Sequence, residues 1–191
     1  MTKARRGFLL YGGLALVLGI ALIALFFLGP RWLTTPAPDN PEPAPAAIAD
    51  ARKIRARLFY VDGAGTGLTS VEQEVTYGQG TVEQAKRIIE AQLATPVEPL
   101  VSAIPAGTKL RTVFLTTDGD AYVDLSGELQ KNHPGGTTNE ILTVYSLVGA
   151  LTSNLPAVTG VQILVDGKEI DTLAGHLDLR RPIEQDGRWI Q

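Results

Sequence analysis

The chain has no cysteine. That excludes disulfides, thiolate metal sites, a thiol nucleophile and a cysteine-borne lipid anchor. Histidine is nearly as scarce, with only His133 and His176, and neither has a partner four residues away, which leaves little for zinc. No G-x-S-x-G phrase occurs, so a nucleophile elbow is absent too. Nor is there an excess of basic charge, since 17 Lys and Arg stand against 20 Asp and Glu for a net −3. A nucleic-acid partner needs a concentrated basic face, and this balance argues against one. The dense basic run Arg52, Lys53, Arg55 and Arg57 reads as a solvated lead-in to a strand.

What the chain does have is an apolar N-terminal run. Phe8 to Leu28 is free of charge and follows Lys3, Arg5 and Arg6. As a helix rising about 1.5 Å per residue it is roughly 31 Å long, enough to cross the hydrocarbon of a bilayer. The basic flank, residues 1–7, then stays in the cytoplasm and everything after Leu28 lies beyond the membrane. A cleaved signal is the rival, but its apolar core is normally about 7 to 15 residues, followed by a small-residue site. Leu28-Gly29-Pro30-Arg31-Trp32 offers no such site, and Trp32 suits an interfacial position. The sequence thus predicts an uncleaved single-pass anchor over residues 8–28.

Residues 29–52 form a linker in which Pro36 to Pro45 holds five prolines in ten positions. Proline lacks the amide donor, so this stretch joins neither sheet nor helix, and as polyproline II it spaces the domain up to about 60 Å from the bilayer. The domain itself, residues 53–183, is mildly acidic and long enough for one sizeable core.

Within it, Arg55 to Val61 alternates as a strand, and Leu68 to Tyr77 reads as a second strand with Leu68, Val71, Val75 and Tyr77 buried. Thr81-Val82-Glu83-Gln84 has the form of a capping box ahead of a helix carrying Val82, Ala85, Ile88, Ile89 and Leu93. Lys109–Thr117 and Ala121–Leu125 form a hairpin about Asp118-Gly119. A second helix begins near Thr137, with Glu140 at the third position if Thr137 caps, and ends before Pro156. Its wide apolar stripe must face a sheet. Val161–Val165 and Lys168–Leu173 form a last hairpin about Asp166-Gly167. From Gly175 the chain reads as irregular, with Arg180-Arg181-Pro182 ending the ordered part and residues 184–191 a polar tail. The order predicts an α+β fold in which two helices cover one face of a mixed, mostly antiparallel sheet.

Candidate chemistry is sparse. His133, in Asn132-His133-Pro134-Gly135-Gly136, reads as a solvent-exposed turn residue, and His176 as a packing or turn residue. Asp124 and Ser126 at a strand end suit capping or Asx turns better than a triad with His133. Asp118, Asp120 and Asp124 are spaced like cation ligands, but Tyr122 sits where an oxygen is needed and the glycine is missing. No catalytic, cofactor or metal residue is assigned, and no cofactor is expected. Tyr60, Tyr77, Phe114 and Tyr122 are strand aromatics that suit a core or a glycan-stacking platform. Trp189 either docks back onto the domain or meets a partner.

Several phrases together carry a resemblance. They are Ile104-Pro105-Ala106-Gly107-Thr108, Asp118-Gly119 leading to Val123-Asp124-Leu125-Ser126, the Glu140 helix with Tyr145-Ser146-Leu147-Val148, and Val161 to Gly167 followed by Gly175-His176-Leu177-Asp178-Leu179. In this order they resemble a GerMN (sporulation and spore germination) domain over roughly residues 55 to 183. The resemblance implies a compact β-α-β-β-α-β unit, similar to ring-building modules, on exported, membrane-tethered proteins of envelope assembly, and it carries over no catalytic or ligand residue. Best known as tandem copies on lipoproteins, the domain here is single and follows an apolar run. The expectation is a non-enzymatic scaffold of the bacterial cell envelope, pairing through a sheet edge or helix face with an envelope protein or itself. The alternative is a peptidoglycan-binding module.

Overall fold

The computed structural model describes residues 52–190. The expected flank, anchor and linker lie outside that range but for Arg52. Among the described residues no helix is long and apolar enough to cross a membrane.

A hairpin comes first, β1 (Lys53–Val61) and β2 (Leu68–Thr76), paired antiparallel from Lys53 opposite Thr76 to Val61 opposite Leu68. Helix α1 (Gly80–Leu93) follows, then the antiparallel strands β3 (Leu110–Leu115) and β4 (Asp120–Leu125). A single turn, α2 (Glu128–Lys131), precedes the long helix α3 (Thr137–Thr152). Strand β5 (Gly160–Val165) runs parallel to β4, and two short strands, β6 (Lys168–Glu169) and β7 (Ile183–Glu184), pair antiparallel with opposite ends of β5. The fold is therefore α+β with a mixed sheet.

The expected single sheet is instead two: β1–β2 stands apart from the five-stranded sheet built on β3-β4-β5-β6 with β7. The reason lies in α3. Its residues Leu142 to Leu151 are buried without a break, and a helix that is covered all round needs a layer on each side. Strand β5 supplies one and β1 the other. Gly149 permits the closeness, since a Cβ there would stand 3.0 Å from the Phe59 ring and 2.9 Å from Ile190 Cδ1.

The turns follow the sequence. Asp166 and Gly167 both take positive φ, 50° and 77°, which is the backbone of the tight hairpin that an Asp-Gly pair favours. The helix caps do not follow it. No side chain caps α1 at Gln79 or α3 at Gly136. Gln84 does reach back, but its Oε1 accepts the Gly78 amide at 2.9 Å, so Thr81 is not the partner expected. The C-terminal stretch is also more ordered than its polarity implied. Ile183 and Glu184 extend the sheet, and Ile190 bridges to Leu68 in parallel.

Candidate functional site

Glu140 is the most constrained polar side chain in the domain. It is 0% exposed and each of its oxygens accepts two hydrogen bonds. Oε1 takes the amides of Leu173 and Ala174 at 2.8 and 3.0 Å, and Oε2 takes the amide and Nδ1 of His176 at 2.9 and 3.1 Å. Burial opposes its charge, but the four donors win and hold the carboxyl below its ordinary value. An ionised carboxylate only accepts, so Nδ1 is the donor in its contact with His176. His176 lines an open cleft with Asp171, Thr172, Gly175, Asp178 and Arg180. Asp178 and Arg180 pair through two bonds of 2.9 and 2.7 Å, and the guanidinium holds that carboxyl well below the usual range. The cleft's strongest charges thus neutralise each other. Glu140 is the residue that sequence reasoning placed wrongly. At the start of a helix its type fits a local cap, and nothing local points to a loop more than thirty residues on.

The other candidate groups are engaged separately. His133 was expected to be solvated, yet its ring is tied on both sides. Nδ1 accepts the Gly135 amide at 3.0 Å, and Nε2 lies 3.3 Å from Thr143 Oγ1, which donates to the Ala103 carbonyl at 2.7 Å. Asp124 is buried, accepting Gly167 N–H at 2.7 Å and Arg111 Nε at 2.9 Å. Arg111 stands at the irregularity between Leu110 and Thr112, and it also reaches Asp166 at 3.5 Å. Ser126 Oγ accepts the Lys109 amide at 3.0 Å. The structure assembles no triad from them. Among the described residues no three His, Asp or Glu side chains are placed to hold a metal ion.

The aromatics also divide. Tyr60 is core, its hydroxyl accepting from Gln73 Nε2 at 3.0 Å. The Arg52 guanidinium stacks 4.4 Å from the Tyr77 ring centre. Trp189 docks back onto the domain, packing against the core while its carbonyl accepts the Leu68 amide at 2.9 Å. Only Phe114, 58% exposed, and Tyr122 meet as a cross-strand pair, on the sheet face turned away from the helices.

Sheet edges are where the molecule is least symmetric. Along β1 the odd-numbered residues turn their backbone groups away from β2, and each of the last three is covered. Asn154 accepts Arg57 N–H and donates to its carbonyl, both at 2.8 Å. Gln92 does the same for Phe59, at 2.9 and 2.7 Å. Val61 N–H reaches the Val101 carbonyl at 2.9 Å. Two side-chain amides and one loop residue thus imitate a neighbouring strand. Gln92 is fully buried, so Gln92→Ala strands a buried donor and acceptor. We expect a loss of about 2 kcal/mol of stability, read as a lower urea midpoint, with Asn154→Ala costing less because that site is wetter.

Strand β3, the terminal strand of the larger sheet, is covered at its middle, where Val113 is 2% exposed. The outer edge of β2 is different. Its even-numbered residues face away from β1, and Leu68 is satisfied by Trp189. Ser70, Glu72, Glu74 and Thr76 have no backbone partner among the described residues. A row of unpaired amides and carbonyls is a template for another strand.

Comparison with known proteins comes to the same fold. The family Germane: Sporulation and spore germination matches residues 57–171. The first GerMN domain of the sporulation protein GerM from Bacillus subtilis aligns with a TM-score of 0.50 at 20% identity, over 71% of this chain and 98% of that one. The tandem GerMN domains of the same protein align at 0.47 and 19%, covering 71% of this chain and 46% of theirs, so the chain spans about half of the tandem. A candidate lipoprotein from Clostridium perfringens aligns at 0.49 and 23%, covering 69% and 87%. No curated protein matches.

Proposed function

Since the chain belongs to the Germane family of sporulation and spore germination, we propose that it is a membrane-anchored, extracytoplasmic scaffold of the bacterial cell envelope, working by protein–protein assembly and not by catalysis. Residues 8–28 hold it in the cytoplasmic membrane with the N-terminus inside, and the proline-rich linker carries the domain outward. The observation that carries the reading is the open outer edge of β2, in a fold that closes the edge of β1 with Gln92 and Asn154. Strand addition at such an edge gives affinity through main-chain hydrogen bonds that require no particular side chains.

A second reading, a peptidoglycan-binding module, draws support from Phe114 and Tyr122, an apolar pair of the kind that stacks on sugar rings. One experiment separates the two. Photo-crosslinking residues are placed singly at Glu72, Glu74, Phe114 and, as a control, Lys168 in cells making the full chain. The scaffold reading expects adducts to one defined protein from Glu72 and Glu74 and none from Lys168. Muropeptide adducts from Phe114 alone would transfer the assignment to glycan binding. Silence at Glu72 and Glu74 would sink the scaffold.

A further inference from the structure

The open edge of β2 has a charge preference as well as a geometry, and we infer that it takes an extended, basic segment of a partner protein as a third strand. This rests on the assembly reading above and adds the chemistry of the partner. On the outer face of the hairpin, β1 contributes Lys53, Arg55 and Arg57, and their register neighbours on β2 are Thr76, Glu74 and Glu72. Lys53 reaches Glu74 at 3.0 Å and Arg55 reaches Glu72 at 3.9 Å. The rows therefore run basic, then acidic. All four side chains are more than half exposed, 59% and 67% in the first pair and 83% and 63% in the second. Each glutamate thus keeps room for a second cation on its open side.

A strand added to β2 sets its own side chains about 5 Å from Glu72 and Glu74, where opposite charges stabilise and like charges repel. That comparison weighs against the nearest alternative, a second copy of this chain. Two β2 edges meeting antiparallel over their open stretch set Glu72 against Glu72 or Glu74, or Glu74 against itself, because only the even positions face outward. Self-pairing is opposed by the same carboxylates that welcome lysine or arginine. The chain's own linker is also a poor occupant, since the five prolines from Pro36 to Pro45 lack the amides that a strand must donate. Trp189 closes the edge at Leu68, so the partner segment spans Ser70 to Thr76, with basic residues at alternate positions facing the two glutamates.

The test is amide hydrogen exchange on the full chain in lipid nanodiscs, with and without millimolar synthetic peptides seven residues long. One peptide alternates lysine and valine, and its counterpart alternates glutamate and valine. The lysine peptide should slow exchange at Ser70, Glu72, Glu74 and Thr76 by roughly tenfold. Thr69, Val71, Gln73 and Val75, already bonded to β1, should not change. The glutamate peptide should protect none of them, and the exposed double variant Glu72→Gln/Glu74→Gln should abolish the preference while leaving exchange in β1 as it was. Equal protection by both peptides would overturn the charge preference and leave the scaffold reading standing. Protection by neither would overturn the inference outright, while the crosslinking yield at Glu72 and Glu74 still reports separately on assembly.

Discussion

Replacing Glu140 by alanine is expected to cost about 4 kcal/mol, the largest loss of any single side chain in this domain. The alanine removes both acceptors at once. The amides of Leu173, Ala174 and His176 then lose their partner against α3, the first of them buried and the other two half-buried. Glu140→Gln separates charge from geometry. Its oxygen still serves Leu173 and Ala174, but its NH₂ faces two donors of His176, so a cost of about 2 kcal/mol is expected. The pH dependence has a definite sign. The folded-state value of Glu140 lies below its ordinary one, so its contribution is fully present above the unfolded value of about 4.3 and is lost as the pH falls through the folded value. Urea midpoints of wild type and Glu140→Gln, followed by Trp189 fluorescence, should differ by a constant amount from pH 8 to about 5 and converge below that. A gap that stays constant down to pH 3 would show that folding leaves the Glu140 carboxyl at its ordinary value.

Gly78→Ala is expected to be nearly as damaging, at about 3 kcal/mol. Gly78 is buried where β2 turns into α1. A Cβ there would lie 2.5 Å from both the Gln84 nitrogen and the Glu83 carbonyl carbon. These are backbone atoms in the first turn of α1, and they cannot rotate aside as a side chain can. Relief requires α1 to shift, which also strains the bond from the Gly78 amide to Gln84 Oε1. Gly63→Ala is the control, because nothing stands within 4 Å of the Cβ it would add. A loss at Gly78 no greater than that at Gly63 would mean that the helix moves freely, against the close packing drawn here.

Much of the fold is legible in short stretches of chain. Alternation marks β1. Helical spacing marks α1 and α3, and the Asp-Gly pairs at 118–119 and 166–167 mark two hairpins. Each signal is local, a matter of residues two, three or four apart. The residues that misled do so for the complementary reason. Glu140 has the right type for a cap at its own helix, yet its partners lie at Leu173 to His176. His133 sits among turn residues, and the group that holds its Nε2 is on α3. Gln92 and Asn154 look like ordinary helix-end amides, and no local pattern tells that they seal the edge of β1.

The layering of the molecule shows the same division. Chain-local chemistry dictates that α3 carries a wide apolar stripe and that β1 and β2 are strands. It also accounts for the missing thiol chemistry, since the sequence contains no cysteine. It does not say where the hairpin goes. That is decided by packing, because a helix buried all round needs a second layer, and Gly149 opens the place where the Phe59 ring fits. Once the hairpin lies across α3, one of its edges falls beside Gln92, Asn154 and Val101 and is closed, and the other faces solvent with Glu72 and Glu74. The residue types of that edge can be read from the sequence, but its openness arises only in three dimensions, because main-chain hydrogen bonds between distant segments leave no periodicity in the chain.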